Sequence, residues 1–155
     1  MLRISKLADY STVIMVYLAK QGELLCNARD IAVHTHLSLP TVSKVLKRLT
    51  ASGLLASVRG ANGGYRLQRS PSDISVANII DALEGKSSLV ECGLLPNSCS
   101  LQGVCLIQGN WRLISHAIEM ALDSVSLEAL AKPMLTNGAE IKKIQQIASN
   151  LSYGE

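Results

Sequence analysis

The chain has 155 residues, room for one core-forming domain and an accessory element but not for two full domains. An apolar fraction of 48% excludes a disordered chain, and with no Phe and one Trp the core must be built from Leu, Ile, Val and Ala. A net charge of +3 is too small by itself to signal nucleic acid, and no run of eighteen apolar residues is present to span a membrane.

Arg3 and Lys6 ahead of the apolar run from Val13 to Ala19 superficially suggest a secretory leader, but Asp9 interrupts the approach and no small-residue cleavage site comes after it. The same stretch carries Leu7, Tyr10, Ile14, Tyr17 and Leu18 at helical spacing, with Ser5 placed to cap. A helix over about 5–21 of a mature, cytoplasmic protein is therefore expected. In that compartment four cysteines point to metal or thiol chemistry, not to structural disulfides.

A short extended piece at Leu24–Cys26 is succeeded by predicted helices over 28–35 and 39–51. Asn27 can cap the first, with Asp30 suited to its positive end, and Ser38 can cap the second, with Pro40 tolerated in the opening turn. Val42, Val45, Leu46 and Leu49 form a stripe at i, i+3, i+4, i+7. Thr41, Ser43, Lys44, Lys47 and Arg48 then fall on the opposite face. Two short helices with a tight turn, the second basic and rich in hydroxyls outside, describe a helix-turn-helix whose second helix enters a major groove.

A basic solvent face alone would leave that reading even with a bland one. The next segment of the chain decides between them. Predicted strands at 54–59 and 64–69 flank Gly60-Ala-Asn-Gly-Gly64, where Asn62-Gly63 would supply the positive φ angles of a tight hairpin. This is a wing carrying Arg59, Arg66 and Arg69, and Gly63 and Gly64 would let its backbone approach a phosphate or minor groove. The fold class is mainly α with a small β-hairpin: a winged helix-turn-helix with a long helix after it.

A helix over 75–84, stopped by Gly85, precedes a loop in which Cys92, Cys99 and Cys105 stand among Gly, Pro and Ser. Three thiols in such a loop suit a shared ligand, for which zinc, copper(I) and iron–sulfur clusters compete. The spacing lacks the paired C-x2-C of a structural zinc site, and a thiol switch stays open. Cys26 reads as a small core residue. From Ile107, the residues Trp111, Ile114, Ile118, Ala121 and Val125 repeat at 4-3-4-3-4 spacing, a seam for a partner helix, with Leu113, Ala117 and Met120 on a second side. A short helix at 127–132 and a last one at about 139–151 complete the chain. The expected divisions are a DNA-binding domain (1–85), a cysteine loop (86–105) and a dimerisation region (106–155).

With Leu2-Arg3-Ile4-Ser5, the wing sequence Ser57 to Leu67, the three cysteines and Ser126-Leu-Glu-Ala-Leu130, the chain resembles the iron–sulfur and nitric-oxide sensing winged-helix regulators of the IscR/NsrR type, the Rrf-two family, over about residues 1–131. Its opening residues look most like the branch regulating the SUF iron–sulfur assembly system. The resemblance implies a homodimer on a palindromic promoter in double-stranded DNA, with iron–sulfur biogenesis genes as targets, usually by repression. It implies Cys92, Cys99 and Cys105 as ligands of an iron–sulfur cluster, 2Fe–2S in preference to 4Fe–4S. Where some relatives place a His three residues after the last cysteine, this chain has Gln108. Others use an acidic residue in the first helix, supplied by the other subunit, which makes Asp9 the preferred fourth ligand, with Gln108 and His34 behind it. The expected DNA-contacting set is Ser38, Thr41, Ser43, Lys44, Lys47, Arg59, Asn62, Gly63, Gly64 and Tyr65. No nucleophile–base pair, phosphate-binding loop or paired carboxylates suggest an enzyme or a small-molecule substrate. A cluster carrier with vestigial DNA binding is the more distant alternative.

Overall fold

The computed structural model describes residues 4–60, 62–85 and 105–132. Cys92, Cys99 and the helix expected at 139–151 lie outside them. The element order is α1 (Lys6–Gln21), α2 (Ala28–Thr35), α3 (Leu39–Ala51), β1 (Leu55–Val58), β2 (Gly64–Leu67), a 3-10 turn (Pro71–Asp73), α4 (Val76–Glu84), α5 (Gln108–Asp123) and α6 (Leu127–Ala131).

Caps set most of the boundaries. Ser5 Oγ accepts from the Ala8 amide at the start of α1, and Asn27 Oδ1 accepts from the Asp30 amide at the start of α2. Ser75 and Asn78 form a reciprocal capping box on α4. Gly85 closes α4 at φ +81°, and Gly53, at φ +76°, comes just after the last turn of α3.

The centre of the fold is α1, which packs against α2, α3, α4, α6 and β2. Ile14, Met15 and Leu18 face inward from it, and the whole expected stripe of α3, Val42, Val45, Leu46 and Leu49, is fully buried against them. Leu55 and Leu67 pair across the antiparallel hairpin and seal its base to this core. The core also reaches past residue 85. Leu127 of α6 is fully buried, its amide donates to the Ile74 carbonyl at 2.7 Å, and Val76 N–H donates to Val125 O at 2.9 Å.

The long helix α5 is different: its sixteen residues include none that is buried. Among the described residues, no helix is long and apolar enough to cross a membrane.

Candidate nucleic-acid interface

Burial of one side of α3 decides what its other side presents. With Val42, Val45, Leu46 and Leu49 locked inward, Ser43, Lys44 and Lys47 are all exposed. The turn into α3 is held by His36, whose φ of +55° is the one left-handed value outside glycine among the described residues. Its amide donates to the Val33 carbonyl as the C-cap of α2. A side chain in that region costs about 1–2 kcal/mol relative to glycine, and nothing in the local pattern marks His36 for it.

Ser38 does sit at the N-cap of α3, but its side chain makes no cap bond. Its Oγ lies 2.8 Å from Thr41 Oγ1, so the two hydroxyls hold each other at the mouth of the helix. Leu39, the first helical residue, is 40% exposed beside them, an apolar group suited to a thymine methyl that sequence reasoning passed over.

Two of the basic residues expected on this surface are turned elsewhere. Arg48 leaves the outer face of α3 and donates from Nη1 to the Leu83 carbonyl at the end of α4. Arg66 on the wing pairs with Glu23 at 2.9 Å. Both partners are distant in sequence, by 35 and 43 residues, beyond any helical or strand period. Arg59 and Asn62 remain exposed at the tip of the hairpin.

The wing turn is also built differently from the expected Asn62-Gly63 hairpin. Residues 59–63 join the strands, the positive φ belongs to Gly60 (+119°), and the Gly63 amide donates to the Gly60 carbonyl at 3.0 Å. Gly63 is not left-handed; a Cβ there would collide with the Val58 carbonyl oxygen. Gly64 is buried, and a Cβ on it would lie 2.8 Å from the carbonyl group of Cys26. The demand for glycine at both positions thus comes from inside the molecule. Cys26 and Tyr65 exchange both backbone hydrogen bonds, at 3.0 and 2.9 Å, fastening the wing to the α1–α2 connection.

That bridge places Cys26 in the core, as expected of a small apolar residue. Burial pushes its thiol pKa up, with the neighbouring Tyr17 hydroxyl working in the opposite direction. Tyr17, itself raised by burial, stacks on His34 with ring centroids 5.3 Å apart. His34 Nδ1 lies 2.8 Å from the Asp30 carbonyl, so His34 is engaged within its own helix.

Of the expected cluster ligands, Cys105 is half-buried, forms no disulfide, and stands three residues before α5. Asp9 is exposed in the first turn of α1, and Gln108 is the half-buried first residue of α5. Among the described residues, no three His, Cys, Asp or Glu side chains gather as a metal site.

Residues 4–133 match the model of the Rrf2 family, described as an iron-dependent transcriptional regulator. The transcriptional regulator NsrR of Halalkalibacterium halodurans is 28% identical over 148 residues, 94% of this chain and 99% of that protein. Among solved structures, CymR, the global cysteine regulator of B. subtilis, is 35% identical with a TM-score of 0.68, over 84% of this chain and 97% of that one. T. potens IscR is 32% identical with a TM-score of 0.64, over 83% and 85%.

Proposed function

The chain belongs to the Rrf2 family of DNA-binding transcriptional regulators, and on that footing we propose that it is a dimeric repressor whose grip on promoter DNA is governed by an iron–sulfur cluster. One observation carries the DNA half. The fully buried stripe of α3 leaves Ser43, Lys44 and Lys47 facing outward together, one short hairpin away from Arg59 and Asn62. Lys44 and Lys47 reach bases or phosphates in the major groove, with Ser43, Thr41 and Ser38 as neutral donors and acceptors at the entrance of the helix. Arg59, Asn62 and the Tyr65 side chain hold the flanking phosphates or minor groove, while Gly63 and Gly64 keep the wing folded and seated.

Three thiolates are a soft donor set of the kind that takes an iron–sulfur cluster, and the family is described as iron-dependent. Cys92, Cys99 and Cys105 would hold it, with Asp9 as the fourth ligand; the free, half-buried thiol of Cys105 supports this. Such a group supplies a centre whose presence and charge respond to iron and oxidant. The 2Fe–2S form and iron–sulfur assembly genes as targets rest on the resemblance of the sequence. The exposed apolar rows of α5, with Ile107, Trp111 and Ile114 all solvent-facing, support a partner helix from a second copy.

The test is anaerobic purification and a visible spectrum with iron and acid-labile sulfide analysis. A random-sequence duplex library is then selected on cluster-loaded and chelator-stripped protein. Expected are a coloured dimer and enrichment of a palindrome whose affinity differs between the two forms. A second reading, thiol oxidation without a cluster, is favoured by the similarity to Staphylococcus aureus CymR, whose structure is known in an oxidized form. It predicts a colourless, iron-free protein whose DNA affinity still changes with oxidant. Negligible DNA binding in every form would overturn both.

A further inference from the structure

The end of α4 is held from two sides. Ser5 N–H, at the entrance of α1, donates to Glu84 Oε1 at 3.2 Å, and Arg48 of α3 donates to the Leu83 carbonyl. The last carbonyls of a helix have no partner within it, and a cationic donor there satisfies one of them and meets the negative end of the helix dipole. Gly85 ends the helix, and residue 86 opens the stretch that carries Cys92 and Cys99. The guanidinium therefore joins the helix proposed to read DNA to the last turn before the cysteine stretch. Around it lies an open polar groove of about 570 Å³ lined by Arg48, Ser52, Asp81 and Glu84 among others. The guanidinium end of the contact lies at the exposed side of α3, while Leu83 itself is anchored in the core.

Arg48 stands next to Lys47 in a run of basic residues and would ordinarily be counted with the phosphate contacts. Its geometry says otherwise. An Arg that donates from Nη1 to a carbonyl of another helix of its own chain can serve as a strut, and a strut between two helices bears on the angle at which one of them is presented.

We infer that Arg48 is a positioning residue: through its bond to the Leu83 carbonyl it sets α3 relative to α4, and it relays the state of the cysteine stretch to the DNA-reading surface. The relay rests on cysteine-dependent control as proposed above; the strut does not.

The experiment compares full-length wild type, Arg48→Met, Arg48→Gln and Lys47→Met, each cluster-loaded and chelator-stripped, on one duplex from the selected library across a salt series. Arg48→Met keeps the apolar stem and removes every donor. Arg48→Gln serves if the Met variant does not fold, with thermal unfolding of all four as the check. Removal of a phosphate contact lowers the slope of log affinity against log salt by about one per contact, hence by about two when both copies of a dimer carry the substitution. Lys47→Met is expected to do so. The Arg48 variants are expected to keep the wild-type slope and to shrink the ratio of affinities between the two forms. That ratio should fall from roughly fivefold or more in wild type to within about twofold of unity.

A slope lowered in the Arg48 variants as far as in Lys47→Met makes Arg48 a DNA contact and overturns the strut. An unchanged slope with a wild-type ratio, whether or not overall affinity falls, overturns the relay. A wild-type ratio of one overturns cysteine control and the relay with it, and the salt slope still decides the strut.

Discussion

At the scale of single residues, the wing is held by backbone and not by its visible ion pair. Arg66 and Glu23 are 41% and 91% exposed, and a pair so wet is worth at most about 1 kcal/mol. The close approach of Gly64 to the Cys26 backbone has no such slack. Urea unfolding is expected to show Gly64→Ala costing about 1–3 kcal/mol by overpacking, with Glu23→Ala within about 0.5 kcal/mol of wild type. Equal losses would mean that the wing rests on its charges. Cys26 gives a second expectation. Burial raises its pKa, so its thiol is neutral in the folded state where an unfolded thiol has begun to ionise. That contribution to stability is fully present below the unfolded value of about 8.5 and is lost as pH rises through the raised folded one. In cluster-free native protein at pH 8, iodoacetamide is expected to label Cys105 at least about tenfold faster than Cys26, read by peptide mass spectrometry. Comparable rates would remove Cys26 from the core.

At the scale of elements, caps and stripes were readable because their information is local. The α3 stripe, the Asn27 cap and the stop at Gly85 each depend on residues no more than a few positions apart. Ser75 and Ser38 look alike in sequence yet do different work: Ser75 Oγ accepts from the Asn78 amide, whereas Ser38 spends its hydroxyl on Thr41. Ser75→Ala is therefore expected to cost about 1 kcal/mol and Ser38→Ala only a few tenths, measured as shifts in thermal midpoint. The reverse order would show that the Ser38 hydroxyl caps α3 after all. The features that escaped sequence reasoning are long-range. The destinations of Arg48 and Arg66, the Cys26–Tyr65 bridge and the reason for Gly64 all come from contacts across the fold, where periodicity carries no signal. His36 escaped for another reason: its left-handed turn at the end of α2 has no glycine to announce it.

At the scale of the whole molecule, two regimes coexist. The bundle around α1 buries its apolar residues thoroughly, while α5 buries none, although Ile107, Trp111, Ile114 and Met120 lie along it. A specific interface needs on the order of 800 Å² from each partner, within reach of a sixteen-residue helix apolar on two sides. Ile114→Asp is accordingly expected to convert a dimer into a monomer in sedimentation velocity while leaving helical content within about a tenth of wild type. Retention of the dimer would place the interface elsewhere.

The backbone stitches between Ile74 and Leu127 and between Val76 and Val125 have a consequence for how such a protein can be altered. They tie the entrance of α4 to the entrance of α6, so that α6 returns to the core beside the start of α4. The chain from α4 to the end of α5 is thereby closed at its base, with α4 packed into the core and α5 outside it. A change in the length of the chain between Gly85 and α5 is therefore expected to leave the junction of α4 with α6 in place.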